Sequence, residues 1–172
     1  MKSSLNNSIR RRKLFSFLLL LTAFCLLLTD VYADVIERVV AYVNDTAITL
    51  SEFRENARRM RSTLGNVSDT DIINSMINRI LLIQEAKKMR LEAPSKDELV
   101  REYIDIAIKS GIIIKDEEIE HFYNENREKF KGQDFPAVRD EIEKYLFERE
   151  TNIDLKKYID ELRAAADIKI QL

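Results

Sequence analysis

Side chains that could carry catalysis are scarce in this chain of 172 residues, which has one histidine and one cysteine. His121 lies on a charged helical stretch without a second ligand or base at helical spacing, so we expect an exposed side chain. The acidic pairs Glu117-Glu118 and Asp140-Glu141 fall where helix faces meet water, which disfavours general acid–base work. No histidine can serve a serine nucleophile, and neither a glycine-rich phosphate loop nor an HExxH motif is present. The sequence predicts no catalytic residue, no metal site and no cofactor.

The charge balance argues against nucleic acid as a partner. Of the 28 basic residues five lie in the first 33 positions, and of the 30 acidic residues one does, which leaves 23 against 29 and a net charge of −6. A nucleic-acid-binding domain should show a basic face instead. Because Cys25 also lies in the first 33 residues, the rest of the chain can form neither a disulfide nor a thiolate metal site.

The first 33 residues have the pattern of a secretory signal peptide. A basic cluster, Arg10–Lys13, precedes an uncharged apolar run, Leu14–Leu28, and the tripeptide Val31–Ala33 ends in a small residue. The apolar run has about 15 residues, whereas a membrane-spanning helix needs roughly 20. We expect cleavage after Ala33. Val31 stands two positions before Ala33, where alanine would be the ideal residue. An uncleaved N-terminal membrane anchor therefore stays the alternative.

Residues 34–172 are predicted to form a single domain that is mainly α-helical with a small β element. Three glycines and two prolines in the whole chain favour long helices over a loop-rich β fold. The last helix, about Pro136–Ala165, would be roughly 45 Å long, which predicts an elongated molecule. Period-two alternation in Asp167–Leu172 indicates a strand. Its one good partner is the strand predicted over Val35–Val43, so the two ends of the domain should meet in one sheet.

Several ordered segments resemble the N-terminal, peptide-binding domain of SurA-type periplasmic chaperones. They are a first strand followed by the start of a helix with an acidic cap, the end of the second helix, a helix rich in acidic and aromatic residues, and a closing helix and strand. The corresponding residues are Val35–Asn44 with Ile48–Phe53, Leu81–Lys88, Asp116–Phe130, Phe135–Ile142 and Tyr158–Ile170. In chain order these segments span nearly the whole range from residue 34 to residue 172, with helices and paired terminal strands where the family has them.

The departure from the family lies between Phe130 and Phe135. Many relatives carry a parvulin prolyl-isomerase domain at that point, whereas this chain has only Lys131-Gly132-Gln133-Asp134. The resemblance therefore implies a peptide-holding module without the isomerase, hence no enzyme and no small-molecule substrate. Its expected partners are unfolded or nascent exported proteins, outer-membrane proteins among them, and its expected location is the periplasm.

Two other functions stay open at this point. The first is a prolyl isomerase, suggested by the family and disfavoured by the absent insertion. The second is an envelope assembly protein with one dedicated partner, which could also form a homodimer through the long helix. The range of bound proteins separates a chaperone, with many weak clients, from such an assembly protein.

Four apolar residues are candidates for client binding. A surface that holds varied clients needs adaptable apolar side chains, and methionine suits it. Met60 and Leu64 lie on the apolar stripe of the first helix, and Ile108 and Ile112 lie near the end of the third. For each of the four, ordinary core packing is the competing interpretation.

Overall fold

A computed structural model describes residues 37–171, which contain five α-helices and three β-strands. In chain order the elements are β1 (Val39–Val43), β2 (Thr46–Thr49), α1 (Leu50–Leu64), α2 (Asp69–Lys88), α3 (Lys96–Ala107), α4 (Asp116–Glu125), α5 (Phe135–Ala165) and β3 (Ile168–Ile170). Short 3-10 turns, Lys109–Gly111 and Arg127–Phe130, follow α3 and α4. The predicted fold class, mainly α with a small β element, is confirmed.

The predicted signal peptide, residues 1–33, and its cleavage site after Ala33 lie outside the described residues. Within residues 37–171 no helix combines the length and the apolar character that a membrane crossing requires.

The sheet joins the two ends of the described chain. Its strand order is β2-β1-β3, and both pairings are antiparallel. In the second pairing Ala41 lies opposite Ile170, and Val43 lies opposite Ile168. The predicted pairing of the C-terminal strand with the first strand is therefore confirmed, although β1 begins at Val39 rather than at Val35.

Local sequence signals set the helix starts. At α1 the Thr49 hydroxyl accepts a hydrogen bond from the Glu52 N–H (3.3 Å), and the Glu52 carboxylate accepts one from the Thr49 N–H (3.0 Å). This reciprocal pair is a capping box, which satisfies two N–H groups that have no partner within the helix. Pro136 occupies the first turn of α5, where its missing N–H is not needed.

Three apolar clusters form the interior, and α5 packs on all of them. The first cluster lies between the sheet, α1 and most of α2, and the end of α5 covers it. The second joins the end of α2 to α3 and to the C-terminal half of α5. The third lies between α4 and the N-terminal half of α5. The buried residues of the third cluster are Ile119, Val138, Ile142 and Leu146.

Candidate functional site

His121 lies on the outer side of α4. Its side chain is exposed, and Nδ1 lies 3.3 Å from a carboxylate oxygen of Glu125, one turn further along the helix. Among residues 37–171 no group of three or more His, Cys, Asp or Glu side chains converges to hold a metal ion. His121 therefore lies on a solvated helix face, as the sequence predicts.

The four candidate client-binding residues do not form one cluster. Leu64, at the end of α1, is 68% exposed, while Met60, one turn earlier, is half-buried against the first apolar cluster. Ile108 is only 9% exposed and Ile112 is half-buried. The helix α1 packs on the first part of α2, whereas α3 packs on its end. Of the four, Leu64 offers a large free apolar surface, and the proposed role of all four stays a prediction.

An apolar site that is open to solvent lies between α4 and α5. Helix α4 begins after Lys115 with three acidic residues in its first turn, where the helix dipole favours negative charge. Arg139 of α5 also joins the two helices, because its guanidinium donates a hydrogen bond to Asp116 of α4 (2.5 Å). The same guanidinium donates to Glu143 on its own helix (3.0 Å). The hydrogen bond to Asp116 raises the pKa of Arg139. These polar contacts and the third apolar cluster fix the groove between α4 and α5.

Aromatic side chains line this groove. The ring of Phe122 lies 5.2 Å from that of Tyr145 and 6.5 Å from that of Phe130, measured between centroids. Tyr123 lies 5.4 Å from both Phe130 and Phe135. Such separations are typical of favourable offset and edge-to-face aromatic pairs. The five rings therefore form one connected cluster along the groove.

The cluster leaves an opening of about 350 Å³, which we term the aromatic hollow. Its walls combine four apolar side chains with three polar ones at the rim, and they are Phe122, Phe130, Ile142, Tyr145, Lys129, Gln133 and Glu141. Tyr145 is 51% exposed, so an aromatic face meets solvent at the mouth. A hollow of this size and lining can receive an apolar side chain from another molecule.

The aromatic hollow was not predicted from the sequence, in which Tyr145 and Phe130 are two among many apolar residues at helical spacing. A signal was nevertheless present in α5. Val138, Ile142 and Leu146 recur every four residues and share one face, and all three are buried. Since Tyr145 stands about 100° around the helix from its neighbour Leu146, both cannot point into the same seam. The adjacent pair of large apolar residues could have indicated that one of them is exposed.

The described residues thus combine a mainly helical scaffold, a small sheet and an open aromatic hollow. Residues 7–148 match the family described as the SurA-like N-terminal domain. The chain therefore belongs to the SurA-like N-terminal domain family. The match ends within α5, so the likeness seen in Tyr158–Ile170 lies beyond the matched range. No curated protein matches the chain.

The family assignment bears on whether the chain is an enzyme. The SurA N-terminal domain is the non-catalytic part of SurA-type proteins, which is compatible with a protein that is not an enzyme. The matched range runs across the short link Lys131–Asp134, where the parvulin insertion of many relatives would stand.

Proposed function

We propose that this chain is a chaperone-like holdase that binds unfolded or partly folded exported proteins in the periplasm. The observation that carries the proposal is the aromatic hollow, open to solvent at Tyr145, on a SurA-like N-terminal domain. Unfolded chains differ from folded ones in exposing apolar and aromatic side chains. A hollow that accepts one such side chain at a time, whatever the surrounding sequence, suits many clients.

Binding should be weak and reversible. A mobile client loses conformational entropy when it is held, and only the surplus of contact energy appears as affinity. Because the walls of the hollow are chiefly apolar, high salt should weaken the retention of an uncharged client little. The proposed activity needs no cofactor and no bond-making step.

The test is the aggregation of denatured clients, followed by light scattering after dilution into buffer with and without equimolar protein. We expect the chain to slow the aggregation of several unrelated clients. Tyr145→Ser should weaken this effect, and about tenfold more protein should then be needed, since an aromatic contact surface is lost. Tyr42→Ser is the matched control, because Tyr42 is a half-exposed tyrosine on the sheet, away from the hollow.

The two other functions give different results in the same series. If aggregation is unaffected for every client while one envelope protein binds tightly and stoichiometrically, the chain is a dedicated assembly partner. If the chain accelerates the isomerisation of a prolyl tetrapeptide, it is an enzyme. Equal activity of Tyr145→Ser and Tyr42→Ser would mean that clients bind elsewhere, with Leu64, Met60, Ile108 and Ile112 the next residues to substitute.

The periplasmic location rests on the predicted signal peptide. N-terminal sequencing of the exported protein should find Asp34 as the first residue. A first residue at Met1, together with recovery in the membrane fraction, would replace this proposal by that of an inner-membrane anchor.

A further inference from the structure

A second opening continues the groove between α4 and α5. It measures about 370 Å³, and we term it the acidic hollow. Its walls are formed by Glu117, Glu118, His121, Phe122, Glu125, Leu146 and Arg149. Phe122 also forms a wall of the aromatic hollow. The acidic hollow extends along α4 from Glu117 to Glu125, whereas the aromatic hollow lies between Phe122, the segment 129–133 that follows α4, and α5. Two chemically different openings therefore share the ring of Phe122 as a wall.

Negative charge is in excess in the acidic hollow, which has three carboxylates and one permanently cationic side chain in its walls. Arg149, its one permanently cationic wall residue, donates two hydrogen bonds to Glu150, which is not a wall residue. In residues 37–171 neither Glu117 nor Glu118 has an ion-pair partner. Glu125 faces only His121, which is charged only when protonated.

We infer that the groove prefers client segments in which a Lys or Arg stands two residues from an apolar residue. This inference rests on the proposed function and names the class of segment that its site selects. The apolar side chain would enter the aromatic hollow, and the cationic side chain would lie among the carboxylates of the acidic hollow. In an extended segment, residues two apart point to the same side and lie about 7 Å from each other. Two neighbouring openings that share one wall suit such a pair of side chains.

Charge complementarity favours this occupant over an acidic segment. The carboxylates repel a client Asp or Glu, and each exposed ion pair that a client cation forms adds a modest attraction. The preference should therefore weaken with salt, whereas the apolar part of binding should persist.

The experiment uses three fluorescent peptides that differ at one position. Each has the core Phe-Ser-Xaa in a serine-rich surrounding, with Xaa as Arg, Gln or Glu, and binding to the full chain is measured by anisotropy. At low salt the Arg peptide should bind about fivefold more tightly than the Gln peptide, and the Glu peptide more weakly than either. At about 1 M salt the three affinities should converge on that of the Gln peptide.

Two double variants, each of which removes two negative charges, test whether the acidic hollow causes the preference for the Arg peptide. Glu118→Gln/Glu125→Gln changes two walls of the acidic hollow, while Glu120→Gln/Glu128→Gln changes two residues that line neither hollow. The first variant should abolish the preference for Arg and leave the affinity for the Gln peptide within about twofold. The second should keep the preference. Glu125→Gln alone repeats the test without loss of stability, because negative charge near the end of α4 opposes the helix dipole.

The outcomes separate this inference from the proposed function. If all three peptides bind equally, or if the preference for Arg survives in Glu118→Gln/Glu125→Gln, the inference fails and the holdase proposal stands. If no peptide binds while denatured clients still aggregate freely, the proposed function fails and the inference with it.

Discussion

Asn44 occupies the turn between β1 and β2 with a left-handed backbone (φ 52°), a conformation that asparagine tolerates better than most residues. Its side-chain oxygen accepts a hydrogen bond from the N–H of Asp167 (3.0 Å), and its side-chain amide donates one to Gln84 (2.8 Å). The Gln84 amide in turn donates to the hydroxyl of Thr46 (3.2 Å). One residue thus links the hairpin, the start of β3 and helix α2.

Replacing Asn44 by alanine should cost about 2 kcal/mol of folding free energy, because two hydrogen bonds are lost and the left-handed backbone becomes strained. Urea denaturation at constant pH measures the change. Asn66→Ala, at an exposed position between α1 and α2, is the control and should shift the free energy of unfolding by less than about 0.5 kcal/mol. Equal effects of the two substitutions would show that the network around Asn44 contributes nothing.

A second residue pair joins α3 to α5. The hydroxyls of Tyr103 and Tyr158 lie 2.5 Å apart, and Tyr103 is buried in the second apolar cluster. Burial, followed by the hydrogen bond with Tyr158, raises the pKa of Tyr103 well above its usual value. In the folded chain this phenol therefore keeps its proton at a pH where the unfolded chain has released it.

The raised pKa predicts a loss of stability in alkali. Below the unfolded pKa of about 10 the contribution of Tyr103 is complete, and it falls as the pH rises above that value, since the folded state then binds more protons than the unfolded state. Urea denaturation from about pH 8 upwards should show a steeper decline for the unchanged chain than for Tyr103→Phe. Parallel declines would contradict the assignment.

At the scale of elements, β3 closes the sheet by pairing with β1. Its removal would leave the backbone groups of β1 on that side without partners and would uncover part of the first apolar cluster, on which Ile168 packs. Deleting residues 167–172 should lower the melting temperature by several degrees, on a scale of about 4–8 °C per kcal/mol. Lys169→Ala, which keeps the strand but removes an exposed charge, is the control. An unchanged melting curve after the deletion would mean that β3 does not stabilise the sheet.

The elements that the sequence predicted well are those with local signals. The Thr49–Glu52 box, Pro136 in the first turn of α5 and the alternation of Ile168–Ile170 each depend on neighbours along the chain, and the structure has all three. The ends of α3 and α4 were less predictable. Phe130 has an apolar side chain at helical spacing, yet it belongs to a separate 3-10 turn, because packing between elements decides where a helix ends.

The candidate site was less predictable than the elements for the same reason. An apolar side chain carries no local mark of whether another element covers it. Ile108 is buried although it was predicted to bind clients, and Tyr145 is half-exposed although its neighbour Leu146 is buried. The four-residue spacing of Val138, Ile142 and Leu146 marks the buried face of α5, but the opening beside Tyr145 depends on how α4 packs against α5.

At the scale of the molecule, α5 forms part of the site at which we propose that clients bind. Its second half packs against α2 and α3, and its first half packs against α4 and the 3-10 turn that contains Phe130. The aromatic hollow opens between this first half of α5, Phe122 of α4 and that turn. The same region has no counterpart of the parvulin insertion, since four residues join Phe130 to Phe135.

Site-specific crosslinking tests most directly the claim that clients are held at this hollow. Cysteine would replace Lys129, at the rim of the aromatic hollow, or Lys169, on the sheet, so that the two variants lose the same charge. Residues 34–172 contain no other cysteine, which lets each variant carry one photoactivatable crosslinker. With denatured clients present, we predict strong crosslinking from position 129 and little from position 169. Equal yields from both positions, or a higher yield from position 169, would contradict the account.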